Sequence, residues 1–247
     1  MTGLCVSDEI FDRYPEVVLG VVTVHGIDNS GGGDALRDVL AGPLRHEEAR
    51  VRERLAGAVI PEHPHISPWR DAYRAFGAKP KDHPSSIENL VRRVLKGQAV
   101  PRVNPLVDLY NTISLRHLVP VGGEDLDQVE GDVLLTFATD REAPVHLLGE
   151  PEARAPKPGE VIYRDDLGTL CRRWNWKEAE RTKLTAATRH AFLVIEGLPP
   201  VGRDLVAQAA EELAALVREH CGGEAAVALV DRDHPWAPFA HTSLTRD

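Results

Sequence analysis

The densest chemical phrase in the chain is Cys171-Arg172-Arg173-Trp174-Asn175-Trp176, which sets two arginines, an amide and two of the four tryptophans side by side. Arginine grips a phosphate through paired N–H donors, and an indole stacks on a nucleobase. A core tryptophan flanked by solvated charges has the same composition, so both readings stay open. A second group is Asp108, Asn111 and Ser114, spaced by three and so sharing one face of a helix. That face is polar in a helix with little other polarity, so it either meets water or lines a site. Ser114 and His117 are also three apart, but no acid stands out to orient a Ser–His pair.

Other motifs carry less. His63 and His65 form an H-x-H pair near Glu62 and His46, but Pro61, Pro64 and Pro68 break any strand that would align the rings on a metal. The loop Asp28-Asn29-Ser30-Gly31-Gly32-Gly33 lacks both G-x-x-x-x-G-K-[ST] and G-x-G-x-x-G, and reads as a strand-to-helix connection. There is no G-x-S-x-G nucleophile elbow. The three cysteines, Cys5, Cys171 and Cys221, are singletons, which argues against a zinc knuckle or disulfide framework and points to a reducing cytoplasm.

The elements that must position these groups follow from pattern. Glu16–Val24 is β-branched and apolar and reads as a buried strand. A charged helix runs from about Pro43 to Leu55. Ser67 reads as an N-cap with Pro68 at N1, opening a short helix that ends at Gly77. Ser85-Ser86-Ile87-Glu88 reads as a capping box, with the glutamate reaching back; Ile87, Leu90, Val91, Val94 and Leu95 form the apolar stripe of the helix it opens. A further helix starts near Asn104 with Pro105 at N1. Past His117 the texture turns β: Asp132–Thr139, Val145–Leu148, Glu160–Arg164, Thr169–Arg172 and Ala191–Glu196 read as strands. The tail is a helix from about Arg203 to His220 and a strand Ala225–Val230, placed to join the sheet of the first strand. Glu150–Gly159 is the softest boundary in what reads as a single domain spanning residues 1–247.

Composition bounds the function. Of 247 residues, 43 % are hydrophobic and 27 % charged, with a net charge of −9, which describes a globular chain rather than a disordered one. No apolar run reaches the ~18–20 residues of a membrane span, and the acidic start MTGLCVSDEIFDRYPE does not read as a signal peptide. The acidic balance argues against coating duplex nucleic acid by bulk charge. Yet Trp69–Arg102 carries eight Lys/Arg against three Asp/Glu, and Arg164–Arg189 seven against four, leaving −17 elsewhere. Two basic segments in an acidic chain either build one positive surface or are solvated helix faces.

The run Asn104-Pro105-Leu106-Val107-Asp108-Leu109-Tyr110-Asn111-Thr112-Ile113-Ser114, followed by Pro120-Val121-Gly122-Gly123-Glu124-Asp125-Leu126-Asp127, resembles the B3/B4 editing domain of the phenylalanyl-tRNA synthetase β subunit, and most of all the free-standing proteins built from that domain alone. Ile87–Leu95 with Gly97 and Pro101, Pro158–Val161 and Cys171–Trp176 extend the likeness, which covers roughly 69–196. The resemblance implies an α+β fold, a mixed or antiparallel sheet with packed helices, to which the two flanks add. It implies hydrolysis of a wrong amino acid from tRNA, without cofactor or metal. A synthesis pocket separates isosteres differing by one hydroxyl by only ~10², whereas a site built to bond that hydroxyl reaches ~10⁴–10⁵.

By that resemblance Asn111 falls on an asparagine lining the editing pocket, and Asp108 and Asp125 fall on motif acids, for which capping and loop bracing is the plain structural alternative. Two positions depart from it. Tyr110 stands where the synthetase has a small threonine, and Gly122 where it has the histidine of a Pro-x-His-x-Phe-Asp phrase. Glu124, His117, Arg172 and Asn175 are the candidates to replace that histidine. The expected substrate-binding set is therefore Asn104, Tyr110, Asn111, Ser114, Gly122, Glu124 and Asn175. The expected tRNA-binding set is Arg172, Arg173, Trp174 and Trp176, and no catalytic residue is assigned. The expectation is a stand-alone deacylase of mischarged aminoacyl-tRNA. A non-catalytic module binding tRNA or an amino acid, and a small-molecule hydrolase unrelated to tRNA, are the alternatives.

Overall fold

The computed structural model describes residues 2–31 and 34–239, with the side chains of 34–39 left out; Gly32 and Gly33 of the glycine-rich loop lie outside the described residues. In chain order the elements are β1 (Gly3–Val6), α1 (Asp8–Arg13), β2 (Val18–His25), α2 (Asp34–Arg54), α3 (Ser67–Ala75), α4 (Ser86–Leu95), α5 (Pro105–His117), β3 (Val121–Asp125), β4 (Val133–Phe137), β5 (Val161–Asp165), β6 (Gly168–Arg172), β7 (Lys177–Glu178), β8 (His190–Gly197), α6 (Arg203–Cys221), β9 (Glu224–Val230) and β10 (Trp236–Pro238). They form an α+β fold with two sheets. One is four-stranded and wholly antiparallel, in the order β3-β8-β2-β9. The other is six-stranded and mixed, in the order β10-β1-β4-β5-β6-β7, its one parallel pair being β1 with β4.

Side-chain parity divides the core. Val18, Val22 and Val24 of β2, with Leu193 and Ile195 of β8, face α5 and α6. Leu19 and Val21 of β2, with Phe192 and Val194 of β8, face Leu135, Val161, Tyr163 and Leu170 of the other sheet. Both faces of β2 are therefore covered, and that is why it reads as an unbroken apolar run instead of an alternating one. α2 and α4 close a third cluster around Leu44, Val51, Ile87, Val91 and Val94. β1 and β2, before residue 69, and β9 and β10, after residue 196, all pair with other strands of these two sheets.

Several local expectations change. The charged helix begins at Asp34 and runs through Pro43, which forfeits one backbone hydrogen bond without ending the helix. Ile66, not Ser67, caps α3, and Pro68 sits one position deeper. The capping box is half formed: Ser85 Oγ accepts from Glu88 N (3.4 Å), but Glu88 turns to Arg70 and Arg92, each at 2.6 Å. Two cations claim the carboxylate more strongly than one backbone N–H does. Val145–Leu148 is not a strand; Val145 and Leu147 make isolated bridges to Arg154 and Ala179. β3 has little strand signature because Gly122-Gly123 lie at its centre. A Cβ on Gly123 would come within 2.4 Å of Leu193 Cδ2 and 2.8 Å of Phe192 O, so the close approach to β8 demands glycine there.

Candidate functional site

The start of α5 is held from three sides. Asn104 Oδ1 accepts from Val107 N (3.0 Å), and Asn29 Oδ1 from Leu106 N (2.9 Å). Asp108 accepts from Arg102 Nε (2.9 Å) and Val103 N (3.2 Å). At its far end Leu118 turns the chain in the left-handed region (φ 55°), and Ser114 Oγ donates to Val119 O (2.6 Å). Chain direction is thereby fixed into β3, and the Tyr110–Asn111 turn of α5 lies over the Gly122-Gly123-Glu124 stretch of that strand.

Opposite stands the β6–β7 connection. Arg173 (φ 50°) and Trp174 (φ 65°) are both left-handed, a conformation costly for bulky residues. It persists because the turn is over-determined. Trp174 is fully buried, edge-on to Tyr14 (4.9 Å) and Trp69 (5.1 Å), and its backbone N–H donates to Val161 O (2.7 Å). Arg173 N donates to Glu160 Oε1 (3.2 Å).

Between these walls lies a cavity of about 230 Å³, bordered by α4, α5, β3, β8 and the β6–β7 turn. One water needs roughly 10–15 Å³ on the same measure, so a side chain with accompanying water fits. Leu90, Val121, Leu148, Phe192, Val194 and Trp176 supply apolar wall. Asn111 supplies its carboxamide: the residue is 8 % exposed and, among the described residues, the amide has no hydrogen-bond partner.

Three carboxyl groups also line it. Glu196 accepts from Tyr163 Oη (2.5 Å) and from Asn175 Nδ2, while Asn175 Oδ1 accepts from Tyr73 Oη (2.8 Å). Burial pushes the Glu196 carboxyl up to about 7, against the bonds from Tyr163 and Asn175. Glu178 Oε1 accepts from Gly123 N (3.3 Å), and burial lifts its carboxyl to about 7 as well. Glu124 is 4 % exposed, its Oε2 has no partner, and burial followed by the nearby Glu178 charge holds its carboxyl well above the usual range. Burial raises the Cys171 thiol far above its ordinary value, so it is no ready thiolate.

A second hollow, about 250 Å³, lies against the outer side of the β6–β7 turn, with Lys79, Lys157, Arg173 and His83 facing Asp82 and Glu160. The two hollows meet at Trp176: Arg173 Cζ sits 4.3 Å over its ring and the His83 ring 4.6 Å from it. Arg173 Nη1 and His83 Nδ1 are buried without hydrogen-bond partners.

The structure thus brings Tyr110, Asn111, Gly122, Glu124, Trp174, Asn175 and Trp176 to the cavity. Asn104 and Ser114 are not among its lining residues; one caps α5, with its Nδ2 donating to Leu184 O (3.1 Å), and the other braces the helix end. His117 is at the far end of α5, 3.0 Å from Glu212. Arg172 is 4 % exposed and locked to Glu160 by two 2.8 Å bonds, so it anchors the turn and has no donor pair to offer a phosphate. Trp174 forms cavity wall but, fully buried, presents no face for a base. His63 and His65 are used locally, His65 N donating to His63 Nδ1 (3.1 Å). Sequence reasoning missed Glu178, Glu196, Lys79, Lys157 and His83. Glu196 had a signal: a lone acid closing the apolar strand Ala-Phe-Leu-Val-Ile-Glu.

A family model described as the B3/4 domain matches residues 68–222. No curated protein matches the chain. Among solved structures, the chain is similar to a crystal structure of an N-terminal fragment of the phenylalanyl-tRNA synthetase β-subunit from Pyrococcus horikoshii, at 15 % identity and a TM-score of 0.45. That likeness covers 91 % of this chain and 50 % of the fragment, so the chain spans about half the fragment's length. Among the described residues no helix is long and apolar enough to cross a membrane.

Proposed function

The chain belongs to the B3/4 domain family, and from that membership and its cavity we propose that it is a stand-alone deacylase that removes a wrongly attached amino acid from tRNA. The observation that carries the reading is the Asn111 carboxamide, nine-tenths buried, on the wall of a mostly apolar hollow. A carboxamide offers donors and acceptors together, so a ligand in the hollow can be met by both.

The aminoacyl side chain enters between Phe192, Val194 and Trp176. Asn111 Nδ2 donates to the ester carbonyl oxygen, whose charge grows as water adds to the carbonyl carbon. The ester C–O bond then breaks, the free amino acid keeps the added oxygen, and the terminal ribose hydroxyl leaves with the proton. An ester needs little more than a positioned water and an oriented donor. Trp176, with Arg173 over its ring, is cavity wall and is not free to stack on a base. Arg173, Lys79 and Lys157 receive phosphate in the second hollow, a role that passes from Arg172 because Glu160 already fills its guanidinium.

The test is incubation of the purified chain with a panel of mischarged tRNAs. The reading expects release of at least one amino acid faster than in buffer. Release no faster than buffer across the panel refutes it, and specific tRNA retention without release would make the chain a binding module.

A further inference from the structure

The acids of the cavity are not absorbed by deacylation as such. Glu124 and Glu178 line it from β3 and β7, and among the described residues neither is ion-paired. The nearest cations are committed elsewhere: Lys177 Nζ to Glu150, and Arg181 to Asp165 at 2.7 Å. Glu124 is 4 % exposed with Oε2 unpartnered, and Asn111, 8 % exposed, lines the same hollow. Gly122 gives Glu178 its room: a Cβ there would stand 3.0 Å from Glu178 Oε1. Buried carboxyls without a counter-ion are expensive unless they are protonated or meet a cation. A primary ammonium has three donors and no acceptor, and three residues with acceptor oxygens line this one cavity: Asn111, Glu124 and Glu178.

We propose that Glu124 and Glu178, with Asn111 Oδ1, form a receptor for the free α-ammonium of the substrate amino acid, so that the cavity accepts α-amino acyl groups and rejects N-acylated ones. The inference rests on reading the cavity as the aminoacyl site, but it needs no tRNA to be tested. Binding places a positive charge beside carboxyls whose hold on a proton burial has raised, so proton is released to solvent as the ammonium docks. The other titratable groups on the walls are Glu196, Tyr110, Tyr163, Cys171 and Lys177. Glu196 already holds two donors, burial keeps both tyrosines and the thiol protonated, and Lys177 is paired with Glu150.

The experiment is calorimetric titration of the full chain at pH 7 with amino-acid amides, from alaninamide through leucinamide to tyrosinamide, beside their N-acetyl counterparts. Each is run in two buffers of different ionisation enthalpy. The expected result is at least tenfold tighter binding of one or more free amides than of the acetylated form, with net proton release to buffer. Glu178→Gln is expected to abolish that preference and the proton release together, and Glu124→Gln to weaken both. Equal binding of free and acetylated amides across the set, or a preference without proton release, overturns the proposal. The comparison on the unmodified chain decides even if a variant fails to fold. Ammonium preference without tRNA deacylation would remove the deacylase reading alone; deacylation that ignores N-acetylation would remove this inference alone.

Discussion

Replacing Glu196 by glutamine should change how stability responds to pH more than it changes stability itself. Glu196 is 3 % exposed, and burial lifts its carboxyl from an ordinary 4.5 to about 7. Between those two values the folded chain holds a proton that the unfolded chain has released. Stability therefore falls as pH rises, by ~1.4 kcal/mol per unit for this one group. The contribution is fully present below about pH 4.5 and lost as pH climbs through about 7, a total near 3 kcal/mol. Glutamine is neutral at every pH in this range and still offers an acceptor to Tyr163 Oη, so E196Q lacks that slope. Other groups, Glu124 and Glu178 among them, titrate alike in both proteins and cancel in the difference. The assay is urea unfolding of both proteins at pH 5, 6, 7 and 8. With an m-value of about 3 kcal/mol per molar, the gap between their midpoints should move in favour of E196Q by close to ~1 M across the range. Parallel curves would show that Glu196 ionises at its ordinary value and that the buried network around Asn175 is wrongly described.

Other substitutions separate structure from function. Gly123→Ala forces a Cβ against Leu193 and the Phe192 carbonyl and should lower stability by ~1–3 kcal/mol in urea unfolding, whereas Gly122→Ala meets only the Glu178 carboxyl and should alter ligand binding at nearly unchanged stability. Arg172→Ala removes the two short bonds to Glu160, leaving it Arg173, and should cost roughly 1–3 kcal/mol of stability, without changing how tRNA affinity depends on salt. Arg173→Ala should do the reverse, lowering the magnitude of the slope of log affinity against log salt by ~0.7–0.9, the share of one phosphate contact.

Much of the fold could be read from the chain because single residues announce it. Asn104-Pro105 marks the start of α5, and the valine-rich run of β2 marks a strand covered on both faces. Where prediction slipped, a tertiary partner outbid a local signal: Glu88 left its capping box for Arg70 and Arg92, and the glycines of β3 hid a strand whose neighbours exclude side chains. The site was legible by residue type but not by placement. Asn111 and Asn104 look alike in sequence, yet one faces the cavity and the other caps a helix. Arg172 and Arg173 are adjacent and differ in fate, since β-strand alternation and a left-handed turn lock one onto Glu160 by two short bonds and lay the other over Trp176. Glu178 and Glu196 come from strands of different sheets, and no spacing within the sequence records that they meet at one hollow.

The central claim is that the Asn111 carboxamide acts on the ester, and single-turnover release of amino acid from a tRNA that the chain deacylates tests it most directly. Asn111→Ala should release at least ~100-fold more slowly, the usual effect of losing one oriented donor, while unfolding at nearly the same urea concentration, because that side chain makes no hydrogen bond within the described residues. Asn104→Ala, which strips the cap from α5, should show the opposite pattern of lower stability and an unchanged rate per folded molecule. An Asn111→Ala protein that releases amino acid at the wild-type rate would contradict the account.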